Sequence, residues 1–226
     1  MGVFSVTNGD GPIDLPSDGQ RLVAFLALRR VRMPRAFVAG TLWMDGSQDR
    51  AFGNLRSALW RVHRHARTLI DSDAASLGLA AEVAVDTDDL TTLGVNVCGG
   101  YDARTDPRCD PAVFAEELLP GWYDEWTLVE RERLRQVSLH ALESLANGLT
   151  SAGDYASAIQ AALAAIRLEP LRESSHRCLI RTHLAEGNRS EAIRAYREYA
   201  DRLERELGID PSPLLRELPG MGHFHV

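Results

Sequence analysis

The stretch Gly153-Asp154-Tyr155-Ala156-Ser157-Ala158-Ile159 returns as Gly187-Asn188-Arg189-Ser190-Glu191-Ala192-Ile193. Gly153 and Gly187, Ala158 and Ala192, and Ile159 and Ile193 each lie 34 residues apart, and Leu145 and Leu179 keep the same offset. A period of 34 is that of tetratricopeptide units, in which antiparallel helix pairs stack and small residues admit close packing. A glycine closes the first helix of each pair, and Pro170 and Pro211 follow the second. Two copies are fewer than a free-standing array needs, so residues 128–146 and 213–218 are expected to complete or cap the stack. Such stacks bind proteins or peptides, or dimerise, far more often than they catalyse.

A second pattern lies in the N-terminal half. Over residues 49–64, Ala51, Leu55, Ala58, Leu59 and Val62 recur at three- and four-residue spacing, with Ala66 continuing the row, and so share one side of an α-helix. Arg50, Asn54, Ser57, Arg61 and Arg64 are assigned to the opposite side. Arg and Asn are the side chains that make bidentate contacts to guanine and adenine edges in a major groove. The same pattern also suits the solvated face of a surface helix, and the neighbouring elements decide between the two.

Upstream, Val3-Phe4-Ser5-Val6 and Ile13-Asp14-Leu15 flank Asn8-Gly9-Asp10-Gly11, a pairing that predicts a β-hairpin. A first helix is expected over residues 20–30, with Leu22, Val23, Phe25, Leu26 and Leu28 inward. Arg32-Met33-Pro34 breaks it, and a short second helix over 35–44 turns Phe37, Val38, Leu42 and Trp43 inward. After the basic helix, residues 68–70 and 76–79 flank Asp71-Ser72-Asp73 as a second hairpin, and residues 83–85 read as extended. Strands, three helices with the third basic, then a hairpin is the order of a winged helix-turn-helix. There the third helix enters the major groove and its predecessor crosses the backbone. Asp86-Thr87-Asp88-Asp89 opens a helix running to residue 97. Residues 98–111 connect, and helix dominates from 112 onward. The expected fold is therefore mainly α: a winged helix over 1–97 (α+β) and an all-α tetratricopeptide-like domain over 98–226.

The net charge of −7 would argue against nucleic acid, but it is unevenly spread. Residues 20–70 carry ten Arg against two acids, Asp45 and Asp49. An acidic protein with one concentrated basic segment can bind a polyanion through it. Cys98, Cys109 and Cys178 are too scattered for a disulfide framework or zinc site and are expected as small buried residues. His63 with His65, and His223 with His225, lack the acids or cysteines that would complete a metal site. No phosphate loop, nucleophile elbow or paired catalytic acids occur, so no enzyme, metal or cofactor is expected. With no membrane span or export signal, the expected location is cytoplasmic.

The segment Gly53-Asn54-Leu55-Arg56-Ser57-Ala58-Leu59-Trp60-Arg61 resembles the third-helix motif of the actinobacterial antibiotic regulatory proteins, abbreviated SARP. Leu119-Pro120-Gly121-Trp122-Tyr123-Asp124-Glu125-Trp126, followed by Glu130-Arg131-Glu132-Arg133-Leu134, is similar to the opening of their bacterial transcriptional activation domain. Ala185-Glu186-Gly187-Asn188-Arg189 and Glu206-Leu207-Gly208-Ile209-Asp210-Pro211-Ser212-Pro213 resemble two further motifs of that domain. The resemblance implies an OmpR-like winged helix that binds direct repeats overlapping a promoter −35 region. It also implies recruitment of RNA polymerase through its sigma subunit and control of secondary-metabolite genes. Larger relatives add an ATPase and sensor repeats, and this chain resembles the short form. It departs from the pattern at the wing, where Asp71 and Asp73 stand and no basic residue lies between Arg67 and Arg104.

Within this reading, Asn54 and Arg61 are expected at base edges, with Arg50, Ser57 and Arg64 beside them on the DNA. Arg35 and Arg56 are candidates for phosphates. Trp60 lies off the apolar stripe, and packs on the wing or second domain or touches the DNA backbone. Trp122, Tyr123 and Trp126 form either a packed junction or a partner surface. With an acidic wing, dimerisation or tandem binding would supply affinity. The rival is a protein-interaction adaptor whose winged helix has lost DNA binding.

Overall fold

The computed structural model describes residues 2–9, 11–100 and 106–218. Asp10 of the first turn, Arg104 and the His223–His225 pair lie outside the described residues. Contacts group the chain into two units: Met1–Asp88 with Leu118–Arg131, and Asp89–Glu117 with Glu132–Val226.

In the first unit, β1 (Thr7–Asn8) and β2 (Gly11–Pro12) pair antiparallel, Thr7 opposite Pro12. The hairpin forms where a turn was expected, because the tight Asn8–Gly11 ladder is extended by Ile13 N–H donating to Val6 O at 2.8 Å. Helix α1 (Ser17–Arg29) begins directly after Pro16, three residues before the expected start. It ends where Arg30 turns left-handed, at φ 53°. Helix α2 (Arg35–Leu42) follows Pro34, and α3 (Gln48–His65) is capped by Ser47, whose hydroxyl accepts from Arg50 N–H. Leu22, Phe25 and Leu26 of α1 close the core with Val38 and Leu42 of α2 and Leu55 and Val62 of α3. Phe37, expected inward, is 51% exposed.

The wing contains β4 (Ile70–Ser72) and β5 (Ser76–Leu79), and a third strand that periodicity could not reveal. Met33–Pro34, read as a helix break, forms β3 and pairs with β5 in a sheet of order β3-β5-β4. Proline lacks the ladder N–H and is tolerated here because β3 is an edge strand. Residues 83–85 form no strand.

The aromatic segment expected to open the second domain packs within the first unit. Trp126 sits edge-on to Phe25, centroids 5.3 Å apart, and Trp122 stacks on Phe4 at 6.2 Å. Arg21 of α1 pairs with Asp124. Arg131 donates to the carbonyls of Leu118, Leu119 and Trp122. Tyr123 stands apart from this cluster, 79% exposed.

The second unit is helical. α4 (Asp86–Cys98) and α6 (Glu125–Ser151) both begin among residues grouped with the first unit. A 3₁₀ turn (Pro107–Cys109) and α5 (Pro111–Phe114) lie between them. Then follow α7 (Tyr155–Leu168), α8 (Glu173–Glu186), α9 (Arg189–Leu207) and α10 (Pro213–Arg216). The 34-residue echo is visible in the backbone. Gly153 and Gly187 both adopt left-handed φ, +81° and +88°, at the close of α6 and α8. Ala158, Ala161, Ala162 and Ala165 are fully buried along α7, so its neighbours approach closely. Thr150 and Thr182 hydrogen-bond at 2.7 Å. Cys109 and Cys178 are buried, but Cys98, expected inside, is exposed at the end of α4 and accepts weakly from Ser144.

Gly94 marks a close helix contact: a Cβ there would stand 2.7 Å from Val137 Cγ1. Valine is stiff at χ1 in a helix and cannot swing its methyl away freely. Gly94→Ala is therefore expected to destabilise the chain by about 1–2 kcal/mol, measured by urea unfolding, although alanine is the better helix former.

Candidate nucleic-acid interface

Helix α3 presents its apolar side to α1 and α2, and those two contacts together set which side faces solvent. Ala51, Leu55, Ala58, Leu59 and Val62 are all buried. At 100° per residue, the direction opposite this row lies about 60° from the centre of the face assigned by residue type. Arg56, Trp60, Ser57 and Arg64 are exposed along it, together with the half-buried Gly53.

The expected site residues divide accordingly. Arg50, Arg56, Ser57 and Arg64 are exposed, and among the described residues the three arginines form no ion pair. Asn54 is half-buried and lines a cleft with Arg21, Leu42, Trp43 and Arg50. Arg61 turns toward α1, where its Nη1 donates to Asp18 Oδ2 at 2.7 Å with the side chain 43% exposed. Its charge is offset within the domain. Arg35, at the first turn of α2, donates to the Asp73 carbonyl at 2.9 Å and lines a cleft of about 360 Å³ with Arg56, Phe52 and Ala75. These two guanidiniums come from different helices to one groove beside the wing, an arrangement that suits a polyanion backbone.

Trp60 stands on the exposed side of α3 beside Arg64. It is 62% exposed, and the Arg64 guanidinium lies over its ring, 5.5 Å from the centroid. Its place on the outward arc was legible from the helical wheel once the buried row was known.

The wing carboxylates do a different job from the one their position suggested. Asp73 Oδ1 accepts from the N–H groups of Ala75 and Ser76, each at 2.8 Å, and closes the β4–β5 turn. Arg32 reaches across from the α1–β3 connection to pair with Asp71 and, at 2.7 Å, with Asp73. The wing therefore does receive basic side chains, from outside the 68–103 stretch. The Ser76 and Ala75 amides, then the Arg32 charge, hold the Asp73 carboxyl at about 2 against an ordinary 3.8. Because the folded value is depressed, this turn's contribution is complete above the unfolded value and lost as pH falls from about 4 toward 2. A carboxyl-detected NMR titration is expected to place Asp73 near 2; a midpoint near 3.8 would remove the turn-closing role.

Among the described residues no group of three or more His, Cys, Asp or Glu could hold a metal ion, and no helix is long and apolar enough to cross a membrane.

Residues 111–220 match the bacterial transcriptional activator domain. Regulatory protein AfsR of Streptomyces coelicolor is 27% identical over 228 residues, covering 92% of this chain and 23% of its own length. Regulatory protein AfsR of Streptomyces griseus is 26% identical over 220 residues, covering 90% and 22%. The chain thus spans less than a quarter of these curated relatives. Among solved structures, Mycobacterium tuberculosis EmbR in complex with a low-affinity phosphopeptide is similar at TM-score 0.74 and 17% identity, over 95% of this chain and 61% of that one. That likeness carries the fold: a winged helix followed by a helical domain.

Proposed function

We propose, from the premise that the chain is a SARP-type regulator with a bacterial transcriptional activator domain over residues 111–220, that its winged helix binds promoter DNA while its helical repeats engage RNA polymerase. The observation that carries the proposal is the outward face of α3, where Arg50, Arg56 and Arg64 stand exposed, without ion pairs among the described residues, around Ser57 and Trp60. A helix of this width with cations on its solvent side fits a major groove. Arg35 and Arg56 take phosphates from either side of their shared groove, and Arg50 and Arg64 take the flanks. Ser57 stands nearest the base edges, while Asn54 reaches a base only from its half-buried cleft and Arg61 only by leaving Asp18.

The partly offset wing charges favour DNA over the adaptor alternative, since Arg32 pairs with both carboxylates and leaves one net negative charge there in place of two. In this reading the DNA-binding domain is residues 1–97 and the activation domain 98–226, although residues 89–97 group with the second unit and 118–131 with the first. Direct repeats at a −35 region, contact with the sigma subunit, homodimeric or tandem binding, a cytoplasmic location and control of secondary metabolism complete the reading. The protein acts by binding and uses no cofactor or catalysis.

Gel retardation with fragments of the source genome tests this directly. Retardation that weakens steeply as salt rises is expected. No retardation of any fragment at low salt would replace the activator with the adaptor.

A further inference from the structure

Trp60 is a large apolar side chain, 62% exposed on the outward arc of α3 that also carries Arg56 and Arg64. The Arg64 guanidinium lies over its ring, and most of the side chain faces solvent. Two turns earlier on the same arc is Gly53, a glycine inside a helix, where it is about 1 kcal/mol worse than alanine. Nothing internal requires it: a Cβ at that position would meet only the Arg56 guanidinium, at 3.9 Å. A bare backbone beside an exposed indole, flanked by Arg56 and Arg64, describes a surface shaped for close approach to a partner that is anionic at its rims and apolar at one point on its floor. Duplex DNA has that character: phosphates line the groove, and the one apolar group on its major-groove floor is the thymine 5-methyl.

We propose that Trp60 reads a thymine 5-methyl group in the major groove, with Gly53 letting α3 sink far enough for the indole to reach it. The inference rests on the DNA-binding reading above and adds the base that the protein selects. Asn54 and Arg61, by contrast, are drawn toward the protein body, so hydrogen-bond readout from α3 is limited and an apolar contact carries part of the discrimination.

The test is selection of duplexes from a random pool by the whole chain, followed by replacement of each selected thymine with deoxyuridine, which removes only the methyl. One position is expected to weaken wild-type binding about fourfold when the methyl is lost, and to leave Trp60→Ala binding unchanged. Gly53→Leu is expected to weaken binding to every selected duplex at least tenfold while the folded chain survives. Equal uracil sensitivity in wild type and Trp60→Ala, or none in either, would overturn the inference with DNA binding intact. Failure to enrich any duplex at low salt would overturn the DNA-binding reading itself and the inference with it.

Discussion

Glu143→Ala is expected to destabilise the chain by about 3 kcal/mol, the largest single-residue effect outside the apolar core. The carboxylate of α6 accepts from Arg172 Nε at 2.8 Å, Ser174 Oγ at 2.6 Å and Ser175 Oγ at 2.8 Å, tying α6 to the start of α8. Removing it strands a half-buried guanidinium and the fully buried Ser175 hydroxyl without their acceptor. Burial pushes the Glu143 carboxyl up, but the hydrogen bonds from Arg172, Ser174 and Ser175 outweigh it and hold the group below its usual 4.5. A depressed folded value means the contribution is present above about 4.5 and lost as pH falls through the folded value. Urea unfolding across pH should show the wild type losing stability on the acid side and Glu143→Ala losing less. Glu143→Gln keeps an acceptor for the serines and is expected to fall between them. An alanine variant as stable as wild type would remove this network from the account of the repeat stack.

Arg56→Ala with Arg64→Ala is expected to weaken DNA binding on the order of a hundredfold at constant salt, from two charge-assisted hydrogen bonds lost to phosphate. The slope of log affinity against log salt should flatten by about 0.9 for each phosphate contact removed. Both side chains are exposed and form no ion pair among the described residues, so folding stability should change by less than about 0.5 kcal/mol. Arg61→Ala gives the contrast: it breaks the Asp18 pair, costs at most about 1 kcal/mol of stability at this half-exposed site, and leaves the salt slope nearly unchanged. A steeper loss from Arg61→Ala than from the double variant would restore Arg61 to the base edge.

The winged helix and the repeat stack were legible because each is written in a period. Leu55, Leu59 and Val62 mark α3 without help from any other element, and Gly153 and Gly187 mark the repeat. What escaped was set by contacts between elements. The outward face of α3 depends on α1 and α2 packing together, so residue type alone placed Arg61 outward when Asp18 draws it to α1. Strand β3 is two residues long and carries a proline, too short for alternation to show. The wing carboxylates looked like bare surface charge because their partner, Arg32, lies 39 and 41 positions away in sequence. Phe37, expected inward, is exposed, as are Tyr123 and Trp60, whose exposure was one of the alternatives left open. Of these, Trp60 sits beside Arg64, which among the described residues forms no ion pair.

Indole N–H resonances of the chain's four tryptophans, followed by NMR while a duplex is added, put the outward face of α3 to the most direct trial. Trp60 should shift strongly and saturably, in step with the backbone amides of Gly53, Arg56 and Ser57, while Trp126, buried against Phe25, stays in place. Perturbations confined to other surfaces, with Trp60 unmoved at saturating DNA, would contradict the account.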